Sequence, residues 1–171
     1  AYDIWFPELS NPESDQALAD SSIFGTVIFA GVASPKTQDS ERTSETRKAY
    51  NRTNFGFTEP LGEVRGKIGK KYGGSAQSSL LPYPALVESG YVGLADSDPD
   101  VDGVRRRIPL VVAIDDQFYP TLVTQTLMTY WNLTAEEISI EIGKHLTFHL
   151  PEREVRVPID FNGEMLINWR A

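Results

Sequence analysis

The sequence predicts an α/β or α+β fold: a single domain with a mixed central sheet, a βαβ unit and a β-rich C-terminal part. Three features carry this expectation. An extended segment, a helix-type segment and the continuous apolar run Val27-Ile28-Phe29-Ala30-Gly31-Val32-Ala33 follow one another at the start. Strand-like and helix-like segments then alternate from Leu80 to Trp131. The remainder shows period-two alternation broken by turn residues.

In order, Ala1 to Phe6 reads as a strand that begins at the first residue, so further sequence is expected upstream. Asn11-Pro12 caps and opens a helix, since Asn accepts from first-turn amides and Pro suits the first helical position. Glu13 and Asp15 suit its positive end, and Ala17, Leu18 and Ala19 are its apolar residues. The helix should end near Ser22. The run from Val27 to Ala33 has the character of a strand covered on both faces. Strand, helix and strand within about thirty residues make the βαβ unit, with a right-handed crossover.

Pro35 to Gly74 is the least patterned stretch. It is rich in Ser, Thr and Asp and holds more than half of the chain's 16 basic residues, from Lys36 to Lys71. It reads as a variable solvated insertion or as a ligand-facing loop. Its glycines do not follow the G-x-x-x-x-G-K-[ST] phosphate-loop pattern. A short helix is expected to open near Pro84 and lead into a strand from Gly90. A second strand is expected from Val104 to Ile114, then a tight turn at Asp115-Asp116-Gln117. Pro120 should open a helix that buries Val123, Leu127, Tyr130 and Trp131, spaced i, i+4, i+7, i+8. In the tail, Ile138 to Ile142 and Leu146 to Leu150 alternate as strands about Gly143-Lys144. Val155-Arg156-Val157 is a third short strand, and Asn162-Gly163 is a hairpin signal before Met165 to Trp169.

Composition excludes several functions. Hydrophobic content of 40% and charged content of 23% over 171 residues are those of an ordinary globular domain. A net charge of −8 argues against a nucleic-acid partner, which needs a basic face, and against docking on an anionic membrane. The chain has no cysteine, which removes thiolate zinc sites, disulfides and cysteine nucleophiles. No apolar run approaches the ~20 residues needed to span a bilayer, and no signal peptide is visible.

The most distinctive stretch is Gly90 to Leu110, which reads as a central hairpin of strand, acidic turn and strand. Asp96, Asp98, Asp100 and Asp102 alternate with other residues, and Arg105, Arg106 and Arg107 follow at once. Three readings stand. Asp98, Asp100, Asp102 and Gly103 match the opening of an EF-hand loop, but the twelfth position is Pro109 in place of a bidentate Glu and the flanks are strands, which leaves only some other Ca²⁺ site. The arginines could instead answer the carboxylates locally. Or some of these residues face a ligand, and the candidates are Asp96, Asp98, Asp102 and Arg105, with Asp3 as a carboxylate at a strand end.

Other chemistry is weak. His145 and His149 lie four apart in a strand pattern, about 13 Å apart, too far to share a metal ion. No G-x-S-x-G elbow or histidine motif supports a catalytic serine. The 24 acids do not single out a glycosidase pair. No catalytic residue, no metal ligand and no cofactor is assigned. Asn51 and Asn132 begin N-x-[ST] sequons.

The motifs G-Y-V-G at 90–93, D-x-D-x-D-G-V-R-R at 98–106 and I-P-L at 108–110 together resemble the centre of the second type of CHASE domain, the sensory domain outside the membrane in bacterial adenylate or guanylate cyclases and histidine kinases. Tyr119-Pro120-Thr121-Leu122, Val157-Pro158-Ile159-Asp160 and Ile167-Asn168-Trp169-Arg170-Ala171 continue the likeness. Asp3-Ile4-Trp5-Phe6 and Asp15-Gln16-Ala17-Leu18-Ala19 resemble its earlier segments, and no motif matches between about Lys36 and Leu80. The resemblance implies a non-enzymatic, extracytoplasmic sensory domain of a membrane receptor, lacking the family's first strand and helix. It implies a small-molecule or peptide signal, a homodimer in the full receptor, and membrane attachment only through helices outside this chain. The runner-up is a secreted or surface Ca²⁺-dependent binding module built on the acidic turn.

Overall fold

The computed structural model describes residues 11–33, 61–69, 79–80, 82–95, 97–114 and 117–168. Helix α1 (Pro12–Ser22) starts as its sequence dictates. Asn11 is extended at φ −139°, its side chain accepts from the amides of Glu13 at 2.9 Å and Ser14 at 3.4 Å, and Pro12 occupies the first position. The buried face is Asp15, Ala19 and Ser22. Of the expected apolar residues only Ala19 is buried, whereas Ala17 is exposed.

Strand β1 (Ile28–Ala33) is the centre of a three-stranded sheet. It pairs antiparallel with β3 (Ser79–Leu80) and parallel with β4 (Tyr91–Leu94). Helix α2 (Pro84–Ser89) opens at Pro84, as expected, and runs directly into β4. Ala19, Phe29, Tyr83 and Leu86 form one cluster, so α1 and α2 cover the Phe29 face together. Tyr83 Oη donates to the carbonyl of Asp15 at 2.9 Å and ties the two helices. Burial, and then the charge of Asp15, push the Tyr83 phenol up.

The opposite face belongs to α3 (Leu122–Trp131), which packs over β4 and β1. Gly93 faces it, and a Cβ there would lie 2.5 Å from the Leu122 Cα. The central sheet is thus covered on both sides, which accounts for the unbroken apolar sequence of β1. The expected first strand at 1–6 lies outside the described residues. Within this sheet, the parallel pairing among the described residues joins β1 to β4.

A second, four-stranded sheet has the order β10–β9–β8–β2, built from β2 (Glu63–Arg65), β8 (Ile138–Glu141), β9 (His145–His149) and β10 (Glu154–Pro158). The tail forms as the alternation predicts, and Gly143 takes the turn at φ +80°. Strand β2 joins parallel to β8, so part of the stretch expected to be solvated is structural. Leu61 and Ile68 are buried there with Leu110, Val111, Ile138, Ile140, Leu146 and Phe148. Trp131 meets Phe148 edge-on at 5.2 Å. Among the described residues, several sheets and three α-helices make this an α+β fold.

Several local expectations need correction. The strands flanking the acidic turn do not pair with each other. The expected strand over 104–114 breaks at Leu110 into β5 (Arg107–Pro109), which pairs with β11 (Glu164–Leu166), and β6 (Val111–Ile114), which pairs with β7 (Gln117–Pro120). The turn at Asn162-Gly163, with Gly163 at φ +76°, therefore leads β11 to β5 and not back to β10. Pro120 ends β7, and Thr121 is the N-cap of α3. The buried face of α3 is Thr124, Gln125 and Met128, while Val123, Leu127 and Trp131 are half-buried against the second core and Tyr130 is 80% exposed. A polar residue can occupy that face because the Thr124 hydroxyl donates to the Leu110 carbonyl at 2.5 Å.

The close approach at Gly93 gives a direct test. Gly93→Ala should destabilise the chain by about 1–3 kcal/mol or more in urea unfolding, because backbone must move. Gly25→Ala, where no atom lies within 4 Å of the added Cβ, should stay within about 0.5 kcal/mol of wild type. Equal effects would contradict the packing of α3 on β4.

Candidate functional site

The acidic turn is held by its own arginines. Gly103, at φ +80°, donates its amide to the Asp100 carbonyl at 2.8 Å, and the Asp100 amide donates to the Val104 carbonyl at 3.0 Å. Left-handed φ of this kind suits Gly. The Arg106 guanidinium forks onto Asp102, with Nη1–Oδ1 at 2.9 Å and Nη2–Oδ2 at 2.8 Å, and Nη1 also reaches Asp100 Oδ2 at 3.1 Å. Arg107 Nη1 takes the other Asp100 oxygen at 3.1 Å, and its Nε stands 3.8 Å from Asp160 Oδ2. Asp160 in turn accepts the amides of Asn162 at 2.8 Å and Glu164 at 3.0 Å. The result is a chain, Asp102–Arg106–Asp100–Arg107–Asp160, that links the turn before β5 to the turn before β11.

The planar, bidentate Arg106–Asp102 contact is the strongest geometry available to such a pair. Its hydrogen bonds, with a further one from the Val104 amide, hold the Asp102 carboxyl down at about 2. All these groups are accessible to water, so the network fixes the shape of the turn more than it stabilises the fold. At its tip Val101 is fully exposed.

Of the residues singled out in the sequence, Asp102 is bound to Arg106, Asp98 and Arg105 are exposed and hold interactions of their own, and Asp3 and Asp96 lie outside the described residues. The pairing is carried by Arg106 and Arg107, which the sequence did not separate from Arg105. The oxygens of Asp100 and Asp102 that a Ca²⁺ loop would use accept from guanidinium groups instead. Among the described residues no group of three or more His, Asp or Glu side chains is arranged to hold a metal ion.

Two polar groupings were not legible in the sequence. On the face of the second sheet that points away from Phe148, His149 Nε2 lies 2.7 Å from Ser139 Oγ and its Nδ1 lies 3.2 Å from Glu154 Oε1. The three side chains come from three adjacent strands, and only the sheet register brings them together. The spacing is that of a Ser–His–acid relay. However, β8 is paired on both sides, to β2 and to β9, and a mid-strand serine has no pair of unclaimed amides for an oxyanion. The second grouping is Thr121 and Gln125 on α3, buried at 2% exposure each, with Thr121 Oγ1 and Gln125 Oε1 lacking a hydrogen-bond partner among the described residues.

A family model described as the CHASE2 domain matches residues 1–171, the whole chain. The match runs through the segment between Lys36 and Leu80, where no single motif is visible. The chain belongs to the CHASE2 family, whose members are extracellular sensory domains of receptors. Comparison with curated proteins and with solved structures returned no match. Among the described residues no helix is long and apolar enough to cross a membrane.

The Asp102 contact makes the turn sensitive to acid in a defined window. The ordinary carboxyl value is 3.8 and the folded value is about 2. Because the folded value is the lower, the contribution is complete above about pH 4 and is lost as the pH falls through 2. Asp102→Asn should flatten the fall in melting temperature between those limits, and high salt should weaken the difference. Identical pH profiles for the two proteins would count against the contact.

Proposed function

We propose that this chain is the extracytoplasmic sensory domain of a bacterial transmembrane receptor. It passes its signal to a cytoplasmic output, an adenylate or guanylate cyclase or a histidine kinase. The observation that carries this reading is the family match over the whole chain.

The mechanism is binding coupled to conformation. A small-molecule or peptide signal, acting within a homodimer, favours one of two arrangements of the domain. The difference in affinity for the two arrangements biases membrane helices that lie outside this chain. A Ca²⁺-dependent module remains the alternative, and it would require a cation to displace Arg106 from Asp102.

Topology is testable because the chain has no cysteine. Val101→Cys, at the exposed tip of the turn, introduces one thiol. In the full-length protein in intact cells, a membrane-impermeant maleimide should label it above the level of the unsubstituted protein. Labelling only after lysis would sink the extracytoplasmic assignment. Insensitivity of the melting temperature to EDTA is expected as well, whereas a drop restored by Ca²⁺ would favour the alternative.

A further inference from the structure

The hydroxyls around the buried face of α3 are almost all accounted for. Thr124 donates to the Leu110 carbonyl, Thr126 to the Leu122 carbonyl and Thr129 to the Gln125 carbonyl. Thr121 is the exception: it is the N-cap residue, yet its side chain caps no amide, and its Oγ1 is buried without a partner. Gln125, one turn on, is the second exception. The Thr129 hydroxyl already donates its proton to a carbonyl, so it can only accept from Gln125 Nε2, 3.4 Å away. That fixes the amide orientation and leaves Gln125 Oε1 as a buried acceptor with no donor.

Their place in the fold is specific. Thr121 forms a parallel bridge to Leu94, the last residue of β4. Ala95, which follows, donates its amide to the Gly31 carbonyl of β1 at 2.7 Å. The amino end of the ten-residue helix α3 therefore meets the carboxyl end of the parallel pair β1–β4. Ligands of sheets with parallel strands bind at that end. The helix amino end and the Thr121 hydroxyl both favour an acceptor of negative charge, and no acidic side chain stands in the first turn of α3. Gln125 Oε1 requires the opposite, an N–H donor, about one helical turn away.

We propose that the amino end of α3 binds a free amino acid in its zwitterionic form. The carboxylate is taken by the Thr121 hydroxyl and the uncapped first turn, and the ammonium by Gln125 Oε1. An inorganic anion would leave the Gln125 oxygen unpaired, and a simple cation would be repelled by the helix end. Both atoms are closed off from solvent in this arrangement, so occupancy requires the amino end of α3 to swing off β4 about the Leu110 carbonyl, to which Thr121 and Thr124 remain bound. Two unpaired buried groups raise the energy of the closed state, and the ligand favours the open one. This site deepens the sensory reading and rests on it.

The test is a melting-temperature screen of the 171-residue chain with each of the twenty amino acids, and with acetate and methylamine as single-group controls. At least one amino acid should raise the melting temperature, by on the order of 3–6 °C at ten times its dissociation constant, with no shift from either control. Thr121→Val and Gln125→Leu should lose that shift while remaining at least as stable as wild type without ligand, because each removes an unpaired group. Thr121→Ser, which keeps the hydroxyl, should retain it. A screen with no responding amino acid, a shift of equal size with acetate, or a shift that survives in both the Val and Leu variants would overturn the site. Each of those results leaves the maleimide topology experiment unaffected, so the failure of this site and the failure of the sensory reading are separable.

Discussion

The backbone of Leu110 is the joint on which the two halves of the domain depend. Its amide donates to Gly163, and its carbonyl receives both the Thr121 amide and the Thr124 hydroxyl. One residue thus fixes β11 beside β5, turns the chain into β6, and anchors the first turn of α3. Buried peptide groups must find partners, and here they do so across three elements instead of within one ladder. The bend at Leu110 is therefore a requirement of the architecture: a straight strand could serve only one of the two small sheets. With α3 anchored there, its other side is free to close over Gly93 and complete the covering of β1 and β4.

Most elements were legible because their signals are local. Asn11-Pro12 caps and opens α1, Pro84 opens α2, and the alternation from Ile138 to Phe148 marks β8 and β9. What could not be read was partnership. The run from Val104 to Ile114 is uniformly extended, and nothing in its composition says that it changes sheets at Leu110. The Asn162-Gly163 turn was visible, but its partner strand lies more than fifty residues upstream. Strand β2 escaped notice because its Glu-Val-Arg segment alternates over only three residues, too short a stretch for the pattern to register. On α3 the apolar stripe pointed to Val123 and Tyr130, whereas burial falls on Thr124 and Gln125; for Thr124, Leu110 supplies a partner that spacing cannot reveal.

The same division runs through the functional groups. The acidic turn with its arginines was conspicuous in the sequence, and the local pairing that was one of its readings is what the geometry displays. Which arginine pairs with which carboxylate depended on the turn at Gly103 and on the approach of Asp160. The two groupings on β8–β10 and α3 were invisible for a plainer reason: Ser, Thr, Gln and a lone His are too common for spacing to single them out. Their interest lies in register and burial, which exist only once the chain is folded.

The seam of Ser139, His149 and Glu154 has a consequence of a different kind. Its three side chains come one each from β8, β9 and β10, so their contacts exist in a single register of the three strands. A slip of β9 by one residue would carry His149 to the core face and Phe148 off it. The seam therefore acts as a latch on strand register: a mispaired tail loses its polar contacts at the same step as it loses its core.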